Sequence, residues 1–232
     1  QVEYQAHVEK LGWMPWQQDG QTAGTTGKKL QMEAVRLNLS GEVAEHYDIY
    51  YRVHVETYGW LDWAKNGETA GTTGYKKRLE AIEIKLVEKD EEAPGSTETP
   101  YRHPCVEYAS HVQTAGWQNF VLDGAVSGTT GERKRLEAIK IIKKDTETAG
   151  DILYRSHVQS YGWENGWKKN GQISGTAGQS KRLEAVQIQL TGELAEKYDI
   201  YYRVHSETYG WLGWAKNGES AGTEGLAKRM EG

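Results

Sequence analysis

Between Ile49 and Val55 apolar and polar side chains alternate: Ile49, Tyr51, Val53 and Val55 share one face, and Tyr50, Arg52 and His54 share the other. The same alternation returns at Ile82, Ile84 and Leu86, with Glu83 and Lys85 opposite. A period of two predicts strands with one buried face. Between them, Gly59-Trp60 and Asn66-Gly67 mark turns that need positive φ. Only AEHYD (44–48) and AEKYD (195–199) hint at a helical turn.

This pattern occurs five times. His7, His54, His111, His157 and His205 each begin a copy, followed by Gly-Trp at 12–13, 59–60, 116–117, 162–163 and 210–211. A second aromatic comes next, at Trp16, Trp63, Phe120, Trp167 and Trp214, and then Asp-Gly or Asn-Gly. Gly-Thr-x-Gly and a Glu at 33, 80, 137, 184 and 231 complete the unit. Self-similarity at a fixed spacing marks a repeat architecture.

A longer period lies behind the short one. AEHYDIYYRVH (44–54) matches AEKYDIYYRVH (195–205), and the first copy most resembles the fourth, so three repeats make the larger unit. Short strands, frequent turns and threefold repetition predict an all-β, pseudo-threefold repeat module of β-trefoil or β-prism type, with three repeats per module. Residues 1–87 then hold repeats one and two, the last two-thirds of a first module, and 101–232 hold a second module that lacks its last strand. Residues 88–100, acidic and with Pro and Gly, read as a linker. Both ends look trimmed, so chain–chain contact is expected there, with Val35, Leu37 and Leu39 exposed on the open face of the first module.

Composition changes the picture in one respect. Apolar residues make up only 37%, with 9 Trp and 14 Tyr against a single Phe, which places the burial potential in amphipathic aromatics. A net charge of -5 without a basic block argues against nucleic acid. No apolar run is long enough to cross a bilayer as a helix, so membrane insertion is not expected. Cys105, the single cysteine, rules out an internal disulfide framework and a cysteine-based metal site.

The ordered string HV-x(3)-GW, Asp/Asn-Gly, AGTTG and RLEAIEIKL resembles the ChW repeat family, clostridial hydrophobic repeats with a recurring Trp. The resemblance covers nearly the whole chain outside 88–100. It implies an extracellular, secreted or cell-surface, non-catalytic module of a Gram-positive (Firmicutes) bacterium. Departures are Phe120 for the second Trp, Gln31 for the usual Arg, and Ala177 and Glu224 within Gly-Thr-x-Gly.

Among the repeated residues, Trp13, Trp60, Trp117, Trp163 and Trp211 read as core, since a large ring beside a turn glycine is what a repeated fold buries. The second aromatics Trp16, Trp63, Trp167 and Trp214, with Asn66, Asn170 and Asn217, read as ligand contacts: a ring beside polar turn residues suits sugar C–H faces and hydroxyls. The His of each copy lies on the polar side of its strand without the convergent ligands a metal needs, and reads as structural. Glu80, Glu137 and Glu184 share the parity of the apolar face, so each needs a partner against the cost of desolvation; Arg78, two residues before Glu80, or the Gly-Thr-x-Gly turn could supply it. Gly-Thr-x-Gly lacks the Lys-Ser/Thr and helix of a phosphate loop and reads as a β-turn.

An active site is one asymmetric constellation, whereas every polar residue of note here recurs. No catalytic residue, metal or cofactor is therefore expected. The expected activity is adhesion or binding, multivalent toward carbohydrate, with a host protein such as mucin or immunoglobulin, or a passive surface spacer, as the alternatives.

Overall fold

The computed structural model describes residues Gln1–Gly232. It forms two compact units, Gln1–His103 and Pro104–Gly232. Both are built of β-strands, and the only helical pieces are the short turns Val43–His46 and Glu193–Lys197.

Four repeats share one plan. A long first strand pairs antiparallel with the return strand that carries the Glu: Val2–Val8 with Met32–Leu39, Tyr47–Val55 with Leu79–Glu88, Val106–Val112 with Leu136–Lys143, and Ile152–Val158 with Leu183–Leu190. In each, the register slips by one residue just after the His. That bulge re-aims the strand end where the Gly-Trp hairpin folds back. The Asn-Gly turns take positive φ at both residues, 41° and 87° at Asn66-Gly67 for example, which suits the right-handed strand twist.

The fifth repeat departs from the plan. Its first strand is broken into Tyr201–Tyr202 and His205–Ser206, and pairing with the Glu segment is reduced to one bridge, Ser206 to Met230.

Within the second unit the repeats close on one another in a ring. The Thr176 amide donates to the Glu137 carbonyl (2.8 Å), Thr223 to Glu184 (2.8 Å) and Thr129 to Glu231 (2.6 Å). Each Gly-Thr turn thus sits on the Glu of another repeat: four on three, five on four, and three on five. Glycine is required at these contacts. A Cβ at Gly175 or Gly128 would stand 2.5 Å from the facing Glu carbonyl oxygen, and both residues have positive φ.

The first unit makes this contact once, with Gly71 against the Glu33 carbonyl. Consequently Val35, Leu37 and Leu39 are not exposed as the sequence predicted; they are buried with Ile49, Tyr51, Val53 and Ala70. The open face belongs instead to repeat two, where Ile82, Ile84 and Leu86 are 41%, 54% and 50% exposed. The reason is directional: within each unit a return strand is covered by the repeat whose Gly-Thr turn seats on it, and in the first unit no such turn seats on repeat two.

Residues 88–100, predicted as a linker, pack on the first unit. The Trp63 amide donates to the Ser96 carbonyl (2.9 Å), and Thr99 donates through N–H and hydroxyl to Asp62 Oδ2 (2.9 Å each). Tyr101–Arg102 then pairs parallel with Gly71 and Thr72.

Candidate functional site

Two constellations recur. The first is a clamp around the inward Glu. His Nδ1 lies 3.2 Å from Glu Oε2 in the pairs His7–Glu33, His54–Glu80 and His111–Glu137, 3.1 Å in His157–Glu184 and 3.3 Å in His205–Glu231. The other oxygen, Oε1, accepts from Arg78, Arg135, Arg182 and Arg229 at 2.7–2.8 Å. In repeat one Gln31 takes the Arg position and donates to Glu33 at 3.3 Å. Glu137 also accepts from the Gly178 amide of the next repeat at 3.1 Å. Glu33, Glu137, Glu184 and Glu231 are buried; Glu80, with no repeat to cover it, is 35% exposed.

Where the Arg is present, Oε1 accepts from its guanidinium, while Oε2 faces the His ring and, in Glu137, accepts from the Gly178 amide, so the Glu ties its strand to the adjoining turn. Burial pushes the His7 imidazole below its usual pKa, against the opposing pull of the Glu33 carboxylate. No group of three or more His, Cys, Asp or Glu side chains gathers at metal-binding geometry.

The second constellation is a ladder of indoles and cations. The Gly-Trp indole stands edge-on to the His ring, with centroids 5.3–5.5 Å apart in all five repeats. The guanidinium of Arg52 lies 4.9 Å from both Trp60 and Trp63. Arg155 lies 5.3 Å from Trp163 and 4.8 Å from Trp167, and Arg203 lies 4.9 Å from Trp211 and 4.6 Å from Trp214. Arg36 over Trp13 (4.1 Å) and Lys140 over Trp117 (4.0 Å) complete the set. A cation over an indole face is attractive, by about 0.5–1 kcal/mol at exposed positions.

Here the structure corrects the sequence reading. Trp13, Trp60, Trp117, Trp163 and Trp211 are not core residues: Trp60 and Trp211 are exposed and the other three half-buried. The hairpin register places each Trp directly opposite the His, and residues paired across a sheet point to one side. The Trp is therefore carried out onto the polar face.

Its place in the core is taken by a Tyr three residues before the His, a signal present in every copy and not singled out above. Tyr51 and Tyr154 are fully buried. The hydroxyls of Tyr4, Tyr51, Tyr108, Tyr154 and Tyr202 donate to the carbonyls of Gln21, Glu68, Ala125, Gln172 and Glu219, at 2.6 Å for Tyr4 and 2.5 Å for Tyr154. Burial pushes the Tyr51 hydroxyl up to about 12.

The predicted ligand contacts divide. Trp16 and Trp214 are exposed, at 46% and 59%, and Trp167 is half-buried. Trp63 is buried, because residues 93–96 fold over it. Asn66 and Asn217 hold the start of their strands: each side-chain oxygen accepts from a backbone amide, of Ile49 or Ile200, at 2.9 Å. Their amide groups donate to Asp48 and Asp199 at 2.7 Å, and Asn170 donates to Asp151 at 3.4 Å. These asparagines are turn clamps. Desolvation alone would raise the carboxyl of Asp48, but hydrogen bonds from Lys65, Lys89 and Asn66 outweigh it and hold the group well below the usual carboxylate range.

In comparisons with known proteins, no curated protein and no solved structure matches the chain. The family model described as Clostridial hydrophobic W matches residues 7–41, 54–88, 111–142, 157–192 and 205–232. Each match begins on the clamp His. Together the five cover well over half of the sequence, and the chain belongs to the ChW family, as an array of five repeats.

Proposed function

We propose that this chain is a non-catalytic binding module on the surface of, or secreted by, a Gram-positive bacterium, and that it holds carbohydrate through several weak, equivalent contacts. The observation that carries this reading is the display of indole rings on the polar side of successive repeats, with Trp214, Trp16, Trp60 and Trp211 all more than a third exposed. Indole faces stack on sugar C–H faces, while neighbouring polar groups take hydroxyls. Repetition converts shallow contacts into avidity by effective concentration. The Glu of each repeat is paired with Arg or Gln and repeated as a structural clamp, which supports a non-catalytic reading. The cyclic order of repeats three, four and five is compatible with a pseudo-threefold module of β-prism or β-trefoil type.

The test is titration of the chain with cell-wall polysaccharides and a glycan array, read by intrinsic Trp fluorescence. A saturable shift that Trp214→Ala weakens supports carbohydrate; fluorescence unmoved by every glycan sinks it. A second reading has its own observation. Trp and Arg stacked together are the residue types that dominate protein–protein hot spots, so the ladder also suits a host protein such as mucin or immunoglobulin. Binding that survives deglycosylation of the partner would select it.

A further inference from the structure

In repeat two the place beside the second indole is already filled. Trp63 is 8% exposed, whereas the equivalent Trp16 is 46% exposed and Trp167 half-buried, although all three repeats have their return strand. The cover is residues 93–99. The Trp63 amide donates to the Ser96 carbonyl (2.9 Å), and Ala93 packs on the cluster of Tyr50, Trp63 and Val87. Gly95 lies so near the indole that a Cβ there would meet its Nε1 at 3.1 Å and its Cδ1 at 3.2 Å. Beside the ring, Asp62 Oδ2 accepts from both the N–H and the hydroxyl of Thr99, at 2.9 Å each.

These contacts have the form of a bound ligand. A backbone face against an indole, with a paired N–H and O–H on a carboxylate, repeats what a sugar offers: a C–H face and neighbouring hydroxyls. The bonds from Thr99 also hold the Asp62 carboxyl below its usual pKa, so it stays an acceptor. The cover is lightly held. Residues 95–99 are exposed, and the only apolar side chains between 93 and 99 are Ala93 and Pro94. Its two ends are fixed, by the ladder of Leu79–Glu88 with Tyr47–Val55 and by the pairing of Tyr101–Arg102 with Gly71 and Thr72. A segment with few apolar contacts and solvent-exposed hydrogen bonds opens locally, and fixed ends bring it back.

We infer that residues 93–99 are an intramolecular strap standing in for ligand at repeat two, and that Asp62 and Trp63 form a latent saccharide subsite which ligand reaches by displacing the strap. The inference rests on the carbohydrate reading above and deepens it, because Asp62 becomes the hydroxyl acceptor of that subsite. The residue before the second aromatic is Pro15, Asn119, Gly166 or Gly213 in the other repeats, so only repeat two sets a carboxylate there. Apparent affinity at repeat two is lowered in proportion to the fraction of chains whose strap is open.

The test uses the full 232-residue chain, with cellohexaose and a purified cell-wall polysaccharide as probes. Without ligand, the Trp63 amide should exchange about tenfold faster than the Leu61 amide, which donates to the Val53 carbonyl (3.0 Å) inside the hairpin. Equal rates would show that the cover opens only with the hairpin, and would overturn the strap. Gly95→Val keeps Asp62 and Trp63 and crowds the strap off the ring, while Thr99→Val removes one of its two bonds to Asp62. Hydroxyl-radical oxidation mapped residue by residue should rise at Trp63 in both variants, toward the Trp16 level in Gly95→Val and by less in Thr99→Val. In Gly95→Val the probes should protect Trp63 at about tenfold lower concentration than in the unaltered chain, with protection of Trp16 unchanged. Adding Asp62→Ala should abolish that gain; an undiminished gain would overturn Asp62 as the acceptor. Protection of Trp16 with no gain at Trp63 would overturn the strap and leave the carbohydrate reading standing, and protection of neither indole in either protein would overturn both.

Discussion

Leu79–Glu88 and Leu183–Leu190 carry almost the same residues, each pairs with the first strand of its own repeat, and their apolar faces meet opposite fates. Ile84 is 54% exposed and its counterpart Ile188 is 8% exposed. The difference is the neighbour. Ser174–Gly175 seats repeat four on repeat three, Ala221–Gly222 seats repeat five on repeat four, and no Gly-Thr turn sits on repeat two within the first unit. A ChW repeat is thus a half-finished object: its sequence specifies the hairpin and the return strand, but the burial that stabilises them comes from the next copy.

The largest expected effect is at the seat itself. Gly175→Ala forces a Cβ against the Glu137 carbonyl at φ 103°, and the combined strain and overlap should cost the second unit roughly 3–5 kcal/mol in chemical denaturation. Gly24→Ala, at φ 108° but with only the flexible end of Met32 nearby, should cost about 1–2 kcal/mol. Equal costs at both positions would break the comparison.

Next come the apolar faces. Ile188→Ala should destabilise the second unit by about 2 kcal/mol, the low end for a buried isoleucine because it already borders a cavity. Ile84→Ala, at an exposed position, should change the first unit by less than about 0.5 kcal/mol. Thermal unfolding of both variants decides this.

Much of this architecture is legible in the residues. The alternation at 49–55 and 82–86, the turn glycines and the inward Glu with an Arg two residues before it all lead from sequence to strands, hairpins and a buried clamp. The Trp and the direction of packing are not legible. Whether Trp60 faces core or solvent depends on a hairpin register that sets it opposite His54, and a one-residue slip would reverse the answer. Likewise Val35 and Ile82 look alike in sequence. Only the order in which repeats cover one another buries one and exposes the other.

The clamp sharpens the contrast on a smaller scale. Glu184→Gln leaves Arg182 and His157 without their carboxylate in a buried setting and should cost about 1–3 kcal/mol, while Glu80→Gln, at the uncovered repeat, should cost less. The ratio of the two, from denaturant melts, measures what the next repeat contributes.

The smallest effect is in pH. Because the folded-state pKa of Asp48 is depressed, its contribution is complete above the ordinary carboxylate range near 4 and is lost as pH falls through the folded value. The Tm of the first unit should drop below about pH 4, and Asp48→Asn should flatten that part of the decline. An unchanged slope would show that Lys65, Lys89 and Asn66 do not hold the ionised form.

Ring closure of the second unit is tested most directly by amide exchange at the equivalent threonines of four repeats. Thr129, Thr176 and Thr223 each donate to a Glu carbonyl of another repeat, whereas Thr25, in repeat one, has no such carbonyl before it. Strong protection at Thr129, matching Thr176 and Thr223, with rapid exchange at Thr25, is the expected result. Exchange at Thr129 as fast as at Thr25 would show that repeat five does not close onto repeat three, and would contradict the ring.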